Sequence, residues 1–133
     1  MPNKFDGDQL KLWNVTSYKI IGAAFKVHSN LGPGLLESAY EACMEIELVK
    51  LNFNVKRQVE LPIHYDGKIL DTKYRIDMVI NDAILLELKA VHELLPIHKA
   101  QAMTYMKLAN IKLGLLINFN TTDLKEGIKR IML

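Results

Sequence analysis

The chain has 133 residues, 50% of them hydrophobic and 24% charged, the profile of one soluble globular domain long enough to bury its own core. Its formal net charge is +2, with lysines and acids mixed along the sequence. That excludes the strong basic bias of a dedicated nucleic-acid binder but leaves room for a local basic patch. No apolar run is long enough to span a membrane, and the N-terminus MPNKFDGDQLK lacks the layout of a signal peptide. With a single cysteine, Cys43, neither an internal disulfide nor a zinc site can form. It reads as a small buried hydrophobe in a reducing compartment, so the expected location is cytoplasmic.

Residues 1–12 are expected to be poorly anchored, and 13–133 to form a single domain. From Thr16 to Leu31 the residues Ile20, Ala24, Val27 and Leu31 recur at helical spacing, with Thr16 as N-cap and Gly32 as the stop. The breaker run Asn30, Gly32, Pro33, Gly34 separates this helix from a second one over residues 35–51. The second helix is apolar on two sides, Tyr40, Met44 and Leu48 on one and Leu35, Ala39, Cys43 and Ile46 on the other, which predicts a helix sandwiched between layers. Glu37 is the odd member, because at about 100° per residue it shares the Tyr40 face.

The period then changes. Val55 to Tyr65 reads as a strand interrupted by Pro62, hence an edge. Asp66-Gly67 is a hairpin turn, Ile69 to Ile80 a second strand, Asn81-Asp82 another turn, and Ile84 to Val91 a third strand. Pro96 opens a helix that runs to Asn110. Lys112 to Asn118 is a short apolar strand and Ile128 to Leu133 a last one. The predicted order is α-α-β-β-β-α-β-β, an α/β sandwich.

The hairpin YRIDMVI…ILLELKA carries the sharpest inference. Pairing Ile80 with Ile84 puts Met78 opposite Leu86 and Ile76 opposite Leu88, making one side wholly apolar. The other side then collects Arg75, Asp77, Val79, Leu85, Glu87 and Lys89, with Asp77 directly across from Glu87. A slip by one residue would set Glu87 on the core face, and the cost of burying an unpaired charge opposes it. Two facing carboxylates repel unless something lies between them, and hard oxygen ligands suit Mg²⁺ or Mn²⁺. Lys89, on the same face, can reach a phosphate oxygen. Alternatively this is the solvated face of an antiparallel hairpin, stabilised by Arg75 and Lys89 as cross-strand partners.

On the helix that follows, His98, Gln101 and Tyr105 share one stripe, flanked by Ile97 and Leu108. Such side chains can bond phosphate oxygens or hold a carboxylate without adding charge. The competing reading is an amphipathic rim with a structural His98. His28, His64 and His92 are scattered and take no role.

These residues together resemble a known family. Asp77 followed by Glu87-Leu88-Lys89 resembles the D…ExK core of the PD-(D/E)xK nuclease superfamily, and Gln101-Ala-Met-Thr-Tyr105 resembles the QxxxY element of its recombination-nuclease branch. Gly34-Leu-Leu-Glu37-Ser-Ala-Tyr40 is similar to the signature of the small GxxExxY proteins of bacteria and archaea, grouped with that superfamily. The resemblance covers roughly Thr16 to the end; the proline of the "PD" pair is absent, Ile76 standing in its place.

The resemblance implies a restriction-endonuclease-like core, α-β-β-β-α-β, with a mixed sheet flanked by helices and an extra N-terminal helix. It implies that Asp77 and Glu87 coordinate Mg²⁺ (or Mn²⁺), with the Leu88 carbonyl as a third ligand. Lys89 would orient the attacking water and stabilise the phosphate. Glu37 would complete the metal shell or hold a metal-bound water, and Gln101 and Tyr105 would position the scissile phosphate. Tyr40 would wall the site or be a plain core tyrosine. The implied activity is metal-dependent hydrolysis of phosphodiesters, DNA before RNA. A homodimer pooling two basic patches would offset the modest charge. The alternative is a non-catalytic accessory or binding module that keeps the fold.

Overall fold

The computed structural model describes residues 7–71 and 74–133. Residues 1–6 of the N-terminal segment lie outside the described residues. The first helix, α1 (Gly7–Leu31), begins well before Thr16. Thr16 is therefore not its N-cap; it is buried inside the helix beside Ser17, whose hydroxyl donates to the Asn14 carbonyl at 3.0 Å. The core-facing stripe begins one turn earlier, at Trp13, and Asp8 stands at the positive end of the helix dipole.

Helix α2 (Glu37–Lys50) buries Tyr40, Met44 and Leu48 completely. Its other apolar side is not covered: Leu35 and Ile46 are 41% and 57% exposed, and Cys43 is only half-buried. The expected sandwich is therefore overturned. Helices α1 and α2 lie side by side as one layer on one face of the sheet, tied by the Lys26–Glu47 ion pair at 2.7 Å. Each keeps an outer side in solvent.

The strands are β1 (Val55–Glu60), β2 (Ile63–Tyr65), β3 (Lys68–Leu70), β4 (Arg75–Ile80), β5 (Ile84–Lys89), β6 (Leu113–Asn118) and β7 (Ile128–Met132). Two predicted strands are thus each divided. Pro62 separates β1 from β2, and β3 leaves the line of β4 across a stretch whose residues 72 and 73 lie outside the described ones. The β2–β3 pair forms its own small sheet around Asp66-Gly67, both with positive φ (52° and 73°), as a tight hairpin turn demands.

The main sheet runs β1-β4-β5-β6-β7, so β1 is an edge as its proline suggested. All pairs are antiparallel except β5–β6. A parallel pair needs a crossover, supplied by helix α3 (Pro96–Ala109). Asn110, left-handed at φ 55°, ends that helix. The α1/α2 layer covers Met78, Ile80, Ile84, Leu86, Leu88, Leu115 and Ile117. Opposite, α3 covers Val79, Leu85, Leu116 and Ile131 with Ala102 and Met106. Strands β5 and β6 are buried on both faces, which explains why they read as nearly continuous apolar runs. From α2 to β6 the main elements follow the order α-β-β-β-α-β, with the β2–β3 hairpin inserted and α1 added in front. Among the described residues no helix is long and apolar enough to cross a membrane.

Candidate active site

The β4–β5 ladder pairs Ile80 with Ile84, Val79 with Leu85 and Met78 with Leu86, then stops. Past that point carboxylates take over the work of the ladder. The Asp77 N–H donates to Glu87 Oε1 at 3.0 Å, and the Leu88 N–H donates to Asp77 Oδ2 at 2.8 Å. Asp77 and Glu87 are therefore adjacent, in the predicted register. Ile76 does not continue the apolar side with Met78; it packs in the α3-side cluster with Val79 and Leu85, because the strand's alternation breaks at Asp77. A solvated hairpin face is also excluded, since α3 covers it and Glu87 is only 4% exposed.

Burial is the main force on both carboxyl groups. It raises Glu87 above its ordinary pKa, up to about 8, with the Asp77 charge adding to the rise and the Asp77 amide and Lys89 opposing it. Asp77 is also raised, chiefly by burial; the Leu88 amide and Lys89 pull it down, while Glu41 and Glu37 push it up. The pair is a concentrated acidic site in a low-dielectric setting.

Helix α3 presents the polar stripe toward this pair. Lys89 Nζ donates to Gln101 Oε1 at 3.5 Å, and Gln101 Nε2 donates to the Tyr105 hydroxyl at 3.3 Å. The Tyr105 phenol is raised, first by burial and then by the charges of Glu87, Tyr74 and Asp77. Lys89, Gln101 and Tyr105 are thus one connected row beside the carboxylates. His98 is engaged otherwise: its Nδ1 accepts from the Leu95 N–H at 2.9 Å, and its own N–H donates to the Leu95 carbonyl, closing the first turn of α3. His28, left without a role, bonds the Thr121 carbonyl at 2.6 Å and ties α1 to the loop after β6. A cleft of about 560 Å³ opens along this row, lined by Lys89, Gln101 and Tyr105 and extending to Tyr74, Ile63 and Ile97.

Helix α2 contributes from the other side. Gly32 and Gly34 take positive φ (70° and 102°), turning the chain so that α2 starts at Glu37. Tyr40 holds that turn: its hydroxyl donates to the Gly32 carbonyl at 2.6 Å and accepts from the Leu35 N–H at 3.2 Å. Its ring stacks on Phe119 with centroids 4.5 Å apart. Glu37 is exposed, and its charge acts on both Asp77 and Glu87.

One carboxylate went unread in the sequence. Glu41, one turn beyond Glu37, is buried and its charge acts on Asp77 ahead of that of Glu37. Arg57 donates to Glu41 Oε2 through Nε (3.1 Å) and Nη2 (2.9 Å), and Gln58 Nε2 donates to Oε1 at 2.8 Å. Gln58 lies between the Arg57–Met78 and Val59–Ile76 pairs of the β1–β4 ladder, across from Asp77, with φ at +51°. A left-handed glutamine inside a strand is strained. The signal available beforehand was the four-residue spacing of two glutamates on one helix face.

The donor set suits a hard divalent cation. Asp77 and Glu87 each spend one oxygen on the backbone exchange, and among the described residues the other two, Asp77 Oδ1 and Glu87 Oε2, meet no protein hydrogen-bond donor. Among the same residues, however, no three His, Cys, Asp or Glu side chains are gathered closely enough to hold an ion, so Glu37 is not drawn into a three-carboxylate cluster.

Residues 14–131 match the model of a family described as the PD-(D/E)XK nuclease superfamily. No curated protein and no solved structure shows significant similarity to the chain.

Proposed function

The chain belongs to the PD-(D/E)XK nuclease superfamily, and from that premise we propose that it is a divalent-metal-dependent nuclease that hydrolyses phosphodiester bonds of DNA. The observation that carries this reading is the Asp77–Glu87 exchange, which leaves one oxygen of each carboxylate unengaged beside Lys89. Asp77 and Glu87 would hold Mg²⁺ or Mn²⁺, with Glu37 approaching through water. A bound divalent ion supplies Lewis-acid stabilisation of charge on the scissile phosphate and acidifies water.

The chain's own residues do the rest. Lys89 orients the attacking water and offsets negative charge growing on the phosphoryl oxygens. Gln101 fixes the Lys89 ammonium on one side and the Tyr105 hydroxyl on the other, so the row presents donors at set positions. The Gly34, Glu37, Tyr40 spacing supports a place among the GxxExxY proteins of the superfamily. A homodimer pooling two basic patches, and a cytoplasmic location, belong to the same proposal; the net charge of +2 supports the former.

One observation favours a second reading, a non-catalytic binding module that keeps the fold: the net charge of only +2. Cleavage of single- and double-stranded DNA with Mg²⁺ or Mn²⁺ by wild type, Asp77→Ala and Lys89→Ala decides between them. Metal-dependent cleavage lost in both variants supports the nuclease. An inert wild type that still binds DNA supports the module.

A further inference from the structure

The cleft along α3 differs in character from the acidic pair beside it. Its polar lining is Lys89, Gln101 and Tyr105 together with His98 and Thr104. Ile63, Tyr74, Ile97 and Leu108 supply its apolar wall, and of these Tyr74 is 46% and Ile97 67% exposed. Tyr74 and Tyr105 meet edge to face, ring centroids 6.3 Å apart and planes inclined by 60°, so their two faces meet at an angle. The volume of about 560 Å³ is that of a small-ligand pocket. Exposed apolar walls opening from a phosphate-ready row call for a group with a flat apolar face joined to a phosphate.

Charge says which side such a strand takes. Helix α2 carries Glu37, Glu41, Glu45 and Glu47 against one lysine, Lys50, and the two further cations that pair with them, Arg57 with Glu41 and Glu45 and Lys26 with Glu47, leave this side with an excess of acid. From Leu94 to Thr122 the chain has Lys99, Lys107 and Lys112 and no acid. A polyanion is repelled by the first side and drawn to the second. We propose that the Tyr74–Ile97 cleft is a base-stacking subsite that seats one unpaired nucleobase next to the scissile phosphate, making single-stranded nucleic acid the preferred substrate class. In a duplex the base faces are covered by stacking, and only phosphates and groove edges meet the protein. A single strand offers its base faces freely. The inference rests on the nuclease reading of the Asp77–Glu87 site for its phosphate but not for its base.

The test is binding without turnover. Fluorescence anisotropy in EDTA and in Ca²⁺ compares a labelled oligothymidylate, the same strand with one abasic position, an oligouridylate and a duplex of equal length. We expect the single strands to bind tighter than the duplex and the abasic strand to lose affinity. Tyr74→Ala should weaken single-strand binding by roughly five- to hundredfold, the scale of one lost base stack, while Tyr74→Phe restores it. Ile97→Ala, at an exposed helix position, gives a second variant that keeps the fold. The two oligonucleotide chemistries sort DNA from RNA. Duplex binding equal to or tighter than single-strand binding overturns the proposal, as does an abasic strand bound as well as the intact one, or a Tyr74→Ala variant that binds like wild type. Base-dependent binding without cleavage in Mg²⁺ removes the nuclease reading and leaves the subsite standing; cleavage that ignores strandedness does the reverse.

Discussion

The Asp77 N–H donates to the Glu87 carboxylate, and the Leu88 N–H next to Glu87 donates to the Asp77 carboxylate. Each acidic side chain thus bonds the main chain of the other's strand where the ladder ends at Met78–Leu86. The bonds satisfy backbone groups that strand pairing no longer reaches, and they fix the two carboxylates side by side despite their repulsion. On the proposed reading, function and fold would share the same two bonds, and ion binding would be linked to stability.

In chelator, stability should fall as pH rises. Glu87 has an ordinary value of 4.5 and is raised to about 8 in the fold. Its folded form holds the proton more firmly than the unfolded chain, so its contribution is complete below the unfolded value and is lost as pH climbs through the folded one. Thermal melts between those limits should show Tm declining in EDTA, a flatter profile with Mg²⁺ or Mn²⁺, and in Glu87→Gln in EDTA a shallower decline than in wild type, because the raised Asp77 still contributes. A wild-type Tm that rises with pH in EDTA would refute the assignment.

Lys89→Met should separate chemistry from folding. The ammonium is half-exposed and among the described residues bonds Gln101 Oε1 alone, at 3.5 Å, so the fold loses less than about 1 kcal/mol. Cleavage should drop by about 10²-fold or more, the scale of losing one group that stabilises transition-state charge. Calorimetric titration of Mn²⁺ should show affinity retained in Lys89→Met and abolished in Asp77→Asn. Equal loss of metal in both would place Lys89 in the wrong role.

The Arg57–Glu41 contact predicts a particular order of variants. Arg57→Ala leaves Glu41 buried, its charge still acting on Asp77, with Gln58 as its remaining hydrogen-bond donor among the described residues. The cost should be about 1–3 kcal/mol, and larger than that of the double variant Glu41→Ala/Arg57→Ala, which removes the buried charge as well. Glu41→Gln should lower the Asp77 pKa, because a neighbouring negative charge has gone. Urea unfolding of the four forms checks the order, and carboxyl titration by NMR in metal-free protein checks the shift.

What the sequence revealed of the site follows from how the constraints act. The closeness of Asp77 and Glu87 was legible because period-two alternation favours one register for the hairpin, and that register is observed from Ile80–Ile84 to Met78–Leu86; the break of alternation that turns Ile76 to the other side was not. Gln101 and Tyr105 were legible because helical periodicity fixes a stripe. Glu41 was not, since its partners Arg57 and Gln58 come from an edge strand and Gln58 takes a left-handed backbone that its residue type does not signal. The early start of α1 escaped for another reason: its first turns mix exposed apolar residues, Leu12 and Val15, with the core-packed Trp13, which blurs the helical period. The two-sided apolarity of α2 misled because α1 joins the same layer without enclosing Ile46.

Tyr40 offers the last separation, between a residue that walls the site and one that shapes it. It is completely buried, its ring stacks on Phe119, and its hydroxyl bonds Gly32 and Leu35 rather than any carboxylate of the site. In Tyr40→Phe the ring and its stacking remain, while a carbonyl and an amide of the glycine turn lose their partner. That should cost about 1–2 kcal/mol and lower Tm by several degrees. Because Glu37 begins the helix that this turn launches, Mn²⁺ affinity should fall only slightly at temperatures where the variant is folded, and cleavage should follow affinity. A variant of wild-type Tm with lost cleavage would instead mean that the Tyr40 hydroxyl acts on the substrate.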